Sequence, residues 1–137
     1  MGQRRKSREL VLQTLYSFNF SNNVIENYIK KFREIREENS IKKDNPITEF
    51  ALELLKGTLL NIKKIDINIK KYSKNWKFDR IALMEKGILR LAIYELLFTS
   101  TNKSIVINEA LELTKKYCAK NAVSFVNGIL NSVGESL

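Results

Sequence analysis

A single proline and five glycines interrupt 137 residues, and between them apolar side chains return every three or four positions. Proline and glycine are the residues that break helices, and a three-to-four spacing lays one apolar stripe along a helical face. No stretch of useful length alternates apolar and polar residues as a half-buried strand does. The pattern predicts an all-α fold of about six to seven helices.

The first helix is expected over residues 4–20, with Leu10, Val11, Leu12, Leu15 and Phe18 on its apolar side and Ser21-Asn22-Asn23 closing it. A second uses Ile25, Tyr28, Ile29, Phe32 and Ile35, and residues 36–45 read as a charged loop. Asn45-Pro46 then suits a helix start, asparagine as cap and proline in the first turn. From there the stripe Phe50, Leu54, Leu55, Leu59 and Ile62 runs on through Ile65 and Ile69 toward Tyr72 without a break. Residues 80–98 are apolar almost all round, interrupted mainly by Glu85, Lys86, Arg90 and Glu95, which predicts a central, largely buried helix. After a turn at Ser100-Thr101-Asn102, helices over 104–118 and 122–133 complete the chain. No internal repeat or linker is visible, so residues 1–137 are expected to form a single domain.

Charge narrows the function. The chain holds 24 Lys and Arg against 15 Asp and Glu, a net charge of +9, which suits a polyanionic partner. It has no histidine, which removes the commonest general base, the Ser-His and Cys-His pairs and nearly all zinc ligand sets. No glycine-rich phosphate loop is present, so neither an enzyme nor a cofactor is expected, and no metal site. Cys118 is the only cysteine; it cannot form an intramolecular disulfide and reads as a packing residue in a reducing compartment. The basic start is followed by an amphipathic rather than a continuous apolar stretch, and no apolar run is long enough to span a bilayer. A cytoplasmic protein with no membrane contact is expected.

The cations concentrate at one end. Arg4, Arg5, Lys6 and Arg8 lie within five positions, ahead of the first apolar series. On a helix at about 100° per residue, Arg5 and Tyr16 fall nearly in line beside that series, about 16 Å apart along the axis. Arginines can hold phosphates there while an aromatic face takes a base, as on single-stranded RNA. The other reading, left open by physics alone, is a solvated helix end with Tyr16 rimming the core. A second basic concentration, Lys63, Lys64, Lys70, Lys71, Lys74, Lys77 and Arg80, reads as a solubilising surface, and the lone Trp76 within it as a core anchor.

Several blocks together carry a family resemblance. Arg4-Arg5-Lys6-Ser7-Arg8-Glu9-Leu10 followed by Gln13-Thr14-Leu15-Tyr16 resembles, in the same register, the opening of the NusB family of bacterial transcription antitermination factors. Glu85-Lys86-Gly87-Ile88-Leu89-Arg90-Leu91-Ala92-Ile93-Tyr94-Glu95-Leu96, Ile107-Asn108-Glu109-Ala110-Leu111-Glu112-Leu113 and Phe125-Val126-Asn127-Gly128-Ile129-Leu130 extend it across the chain. The resemblance implies two helical subdomains, no catalysis, and binding of single-stranded boxA RNA together with a small-subunit ribosomal protein, NusE. Such pairs load onto boxA in nascent ribosomal RNA leaders and help the RNA polymerase antitermination complex resist termination. It also implies that a homodimer can form and hide the RNA surface in some members.

Carried over by position, Arg4, Arg5, Lys6 and Arg8 match the family's arginine-rich RNA motif, Tyr16 its aromatic, and Phe125 its phenylalanine near the RNA path. Asp79 and Glu85 fall where the family turns acids toward its basic ribosomal partner, Glu85 being the better aligned. Asn108, Glu109 and the pair Asn127-Gly128 read as structural, and Arg90 as the partner of a carboxylate. Two departures stand out: Lys6-Ser7 replaces arginine and alanine, and residues 119–124 lack the glycine and charged residues common there. If about four phosphates are neutralised, log K falls with log salt at a slope near −3. The rival readings are a helical protein-interaction module with incidental nucleic-acid binding, non-specific binding of duplex DNA, and the front of an RNA cytosine methyltransferase. For the last, residues 1–137 contain no α/β cofactor-binding pattern.

Overall fold

A computed structural model describes residues 2–17, 24–74 and 76–137. Among them are seven α-helices, one 3-10 turn and no strand, the all-α class that the spacing predicts. The backbone divides into two compact units, Met1–Leu60 and Asn61–Leu137. Phe18 and the Ser21-Asn22-Asn23 closure lie outside the described residues.

The first unit holds α1 (Gly2–Tyr16), α2 (Ile25–Glu38) and α3 (Pro46–Leu60). Helices α2 and α3 both pack on α1. Its core is Leu10, Val11, Leu12 and Leu15 with Tyr28, Phe32 and Ile35 from α2 and Ala51, Leu54 and Leu55 from α3. Each such aliphatic side chain contributes about 2 kcal/mol of transfer free energy. The expected apolar side of α1 is buried, and with it every residue from Ser7 to Leu12, polar ones included. A helix flanked on more than one side buries more than one stripe. Helix α2 runs three residues into the expected loop, and Asn39 then closes it by donating from Nδ2 to Ile35 O at 2.8 Å. Ser40 takes a left-handed backbone, φ 57°, and turns the chain toward α3. There the proposed cap is real: Asn45 Oδ1 accepts from the Ile47 N–H at 2.9 Å, with Pro46 as first helical residue.

The stripe expected to run unbroken from Pro46 to Tyr72 is interrupted at Asn61, whose backbone leaves the helical region (φ −110°, ψ 17°). One non-helical residue barely disturbs a three-to-four spacing, so the pattern cannot reveal it; Gly57, Thr58 and Asn61, all weak helix formers, are the local hint. The second unit follows: α4 (Ile62–Tyr72), a 3-10 turn at Phe78–Arg80, α5 (Leu83–Phe98), α6 (Lys103–Tyr117) and α7 (Ala122–Glu135). Helix α5 touches α4, α6 and α7, and everything from Gly87 to Ile93 along it is buried, as its all-round apolar sequence requires. Arg90 forms the expected carboxylate pair, Nε to Asp66 Oδ1 at 2.8 Å and Nη2 to Oδ2 at 3.0 Å. Asn102 caps α6 by accepting from the Ser104 N–H at 2.8 Å. Lys103 Nζ donates to the Gly134 carbonyl at 2.8 Å, placing a cation at the negative end of α7.

Candidate functional site

In the first unit the basic segment is the opening of α1. Arg4 and Arg5 are exposed, Lys6 is half-buried, and Arg8 is only 3% exposed. Phe50 on α3 organises them: the Arg4 guanidinium carbon stands 4.5 Å from the ring centroid and that of Arg8 5.6 Å. Positions four apart share a helix face, so one ring serves both cations. Lys6 Nζ donates to Asn39 Oδ1 at 3.0 Å. The Ser7 hydroxyl, where the family commonly has alanine, is buried and donates toward Ile47 O at 2.9 Å and Gln3 O at 3.1 Å, fastening α1 to the start of α3. The α1 cations are therefore mounted on folded structure, Arg4 and Arg5 outward and Arg8 inward. Tyr16, at the far end of the same continuous helix, is 50% exposed. Arg5 and Tyr16 are both accessible, about 16 Å apart by helical rise, but Glu9 and Leu12, which lie between them on the same helix edge, are buried.

Phe125 lies on α7 in the second unit, half-buried. Its neighbour is Trp76, with ring centroids 5.9 Å apart and planes at 67°. The expectation of a core anchor fails here, since Trp76 is 58% exposed. It sits in the segment joining α4 to α5, and the core is already closed by Ile65, Ile69 and Ile81. The turn that carries it is pinned: the Trp76 N–H donates to Ser73 O at 3.1 Å, and the buried Ser73 hydroxyl donates to Trp76 O at 3.2 Å. Trp76, Arg80, Glu85, Asn121 and Phe125 line a groove of about 180 Å³.

Glu85 belongs to that groove, on the first turn of α5, where burial raises its carboxyl above the usual range. Asp79 is exposed in the 3-10 turn, and its charge acts on Lys86, whose ammonium is lowered first by burial and then by Arg90. Burial and the negative charge of Glu85 push the Cys118 thiol up to about 11, so it stays protonated and unreactive at neutral pH. The folded carboxyl of Glu85 lies above its unfolded value. Its cost is therefore absent below the unfolded carboxylate range and complete above the raised folded value. Glu85→Gln is expected to raise the urea midpoint at pH 7 and to leave it unchanged at pH 3; an equal shift at both pH values would rule out ionisation as the cause.

Three participants were not legible in sequence. Phe50 read only as part of a stripe, and the spacing of Arg4 and Arg8 is the signal that would have pointed to a shared ring. Asn39 read as loop. Phe78 gathers Lys70, Lys86 and Arg90 at 4.9, 4.4 and 5.4 Å from its centroid, so part of the second basic concentration packs on an aromatic ring. Glu109 is buried as a structural residue should be, whereas Asn108 is exposed; Asn127 Oδ1 accepts from Asn131 within α7 at 3.1 Å.

One helical unit presents a braced cationic end and another presents aromatic and acidic groups around a groove, and both belong to an all-α protein. Comparison with known proteins gives the family. The model of the NusB family matches residues 5–135. The transcription antitermination protein NusB of Wolinella succinogenes is 41% identical over 138 residues, covering 100% of this chain and 98% of that protein. Among solved structures, Thermotoga maritima NusB is 31% identical with a TM-score of 0.83, covering 96% of this chain and 90% of that one. A crystal structure of the antitermination factors NusB and NusE in complex with dsRNA matches at 29% identity and a TM-score of 0.87, covering 100% and 99%. The chain therefore belongs to the NusB family of transcription antitermination proteins. No described helix is long and apolar enough to cross a membrane.

Proposed function

We propose that this chain, as a single RNA-binding domain over residues 1–137, binds single-stranded boxA RNA together with the ribosomal protein NusE. It thereby supports transcription of ribosomal RNA by the antitermination complex in the cytoplasm. The observation that carries the reading is the outward pair Arg4 and Arg5 on a helix that also exposes Tyr16: cations for the phosphates, an aromatic for a base. Lys6 adds a third charge close by. Arg8 acts in this reading from beneath, holding Phe50 and so the ring on which Arg4 rests. Phe125 offers an aromatic contact from the second unit. Phosphate contacts supply affinity, and base contacts must supply any preference for boxA.

Glu85 and Asp79 are the proposed contacts for a basic protein partner. Docking a cation beside Glu85 offsets the burial that raises its carboxyl, so partner affinity rises as pH climbs through the carboxylate range. Glu85→Lys is expected to abolish the partner's enhancement of RNA binding while leaving RNA binding by the chain alone within about twofold, since the exchange leaves the α1 cations unaltered. Loss of both together points to a structural effect instead.

The test of the whole reading is binding of a boxA-type RNA and a scrambled RNA of equal length, each with and without NusE, at 150 mM salt. Tighter boxA binding that NusE strengthens is the expected result; equal, partner-independent binding overturns it in favour of a helical protein-interaction module with incidental nucleic-acid affinity. The RNA in the solved NusB and NusE neighbour is double-stranded, which favours a second reading in which duplex RNA is bound. Competition between duplex and single-stranded RNA separates the two.

A further inference from the structure

Trp76 is spent on neither the core nor any requirement of the fold so far described. Its indole stands out of the second unit from a pinned turn, edge-on to Phe125, and a second groove opens on that pair, of about 370 Å³. Tyr72, Lys74, Trp76 and Phe125 line it, with Ser124 and Ser132. The two grooves share Trp76 and Phe125 but differ in chemistry. The first contains Glu85; the second has no carboxylate among its lining residues and does have an exposed lysine.

We propose that this second groove is a nucleobase site, in which one base of single-stranded RNA stacks on Trp76 against Phe125 while Lys74 meets the adjoining phosphate. The proposal rests on the RNA-binding reading above and adds Trp76 and Lys74 to the Phe125 contact of that reading. Three aromatic rings beside a cation, with no acid, give the charge and surface that a nucleotide complements and that a basic protein does not. The turn hydrogen bonds from and to Ser73 fix the Trp76 backbone before any ligand arrives, so little backbone ordering is left for binding. Lys74 takes a left-handed backbone, φ 50°, an uncommon conformation for a lysine. Every base has a π-face, and the Ser124 hydroxyl already donates to Asn121 O at 3.3 Å, so the site stacks bases with little discrimination among them.

Trp76 is the only tryptophan in the chain, which makes its fluorescence a local probe of stacking. Titration with a boxA-type single strand is expected to quench its emission along the same isotherm that anisotropy of labelled RNA reports. Trp76→Ala is expected to weaken binding by about 5- to 100-fold with the salt slope unchanged, because stacking displaces no counterions; Trp76→Phe should recover most of the loss. Because the indole is largely exposed, helicity by circular dichroism should not move, and the quenching experiment needs no variant. RNA binding by anisotropy with no change in Trp76 emission and no effect of Trp76→Ala overturns the proposal while the α1 reading stands. Quenching by NusE alone, with none by RNA, overturns it in favour of a protein-docking groove. No RNA binding by anisotropy at all overturns both readings.

Discussion

Arg90→Ala is expected to lower the unfolding free energy by about 3–5 kcal/mol, a large share of the roughly 5–15 kcal/mol that holds a typical protein folded. The guanidinium is 4% exposed and Asp66 20%, and the two meet through a pair of near-parallel hydrogen bonds. Removing the arginine leaves the carboxylate in a partly desolvated place without its two hydrogen bonds and with the more distant charge of Lys86 in place of the guanidinium, which is where the cost arises. It also takes a planar cation from beside the Phe78 ring, 5.4 Å away. Arg90→Lys recovers little, because an ammonium cannot present two parallel N–H groups to one carboxylate. Replacing both partners, Arg90→Met with Asp66→Leu, should come close to the parent stability, since it removes the stranded charge along with the pair. Urea unfolding followed by far-ultraviolet circular dichroism measures all three. Single substitutions costing under about 1 kcal/mol would put the pair in the class of surface ion pairs and refute its structural role.

Arg4→Ala combined with Arg5→Ala is expected to weaken RNA binding about tenfold at 150 mM salt and to reduce the magnitude of the salt slope by about 1.4. Each phosphate neutralised on a single strand contributes about 0.7 to that slope. The burial of Arg8 leaves three α1 cations for phosphates, Arg4, Arg5 and Lys6, so the parent slope should be nearer −2 than the −3 that four contacts give. The difference between parent and variant should therefore shrink toward zero as salt approaches 1 M. Both side chains are exposed, and the thermal midpoint should fall only slightly, through loss of the Arg4 contact with the Phe50 ring. Arg8→Ala is expected to behave differently, lowering the midpoint because it uncovers Phe50 and removes a buried packed cation. Binding titrations across a salt series decide the matter: an unchanged slope in the double variant would mean that α1 does not hold the RNA backbone.

Much of the fold was legible along the chain. Residues 80–98 announced a buried helix because they are apolar almost all round, and Asn45-Pro46 announced a helix start because asparagine suits the cap and proline the first turn. Arg90 called for a carboxylate because a charge on such a helix cannot stay buried alone. The candidate site was less legible. Arg8 and Arg5 have the same chemistry and stand three residues apart, yet one is buried and the other exposed, and only the positions of α2 and α3 around α1 decide which. Trp76 reversed its expected place for a similar reason: hydrophobicity favours burial, but the chain around it turns outward and the core fills with Ile65, Ile69 and Ile81 instead.

What the sequence by itself determined is whatever depends on near neighbours in the chain: helical periodicity, the cap at Asn45, the gathering of cations at residues 4–8, and the family blocks. Tertiary structure alone decided what depends on residues far apart meeting. It paired Asp66 with Arg90, set Phe50 under Arg4 and Arg8, and brought Trp76 to the edge of Phe125. Local propensity is a property of a few consecutive residues, whereas exposure is set by which distant helix covers a side chain, and no spacing rule encodes that.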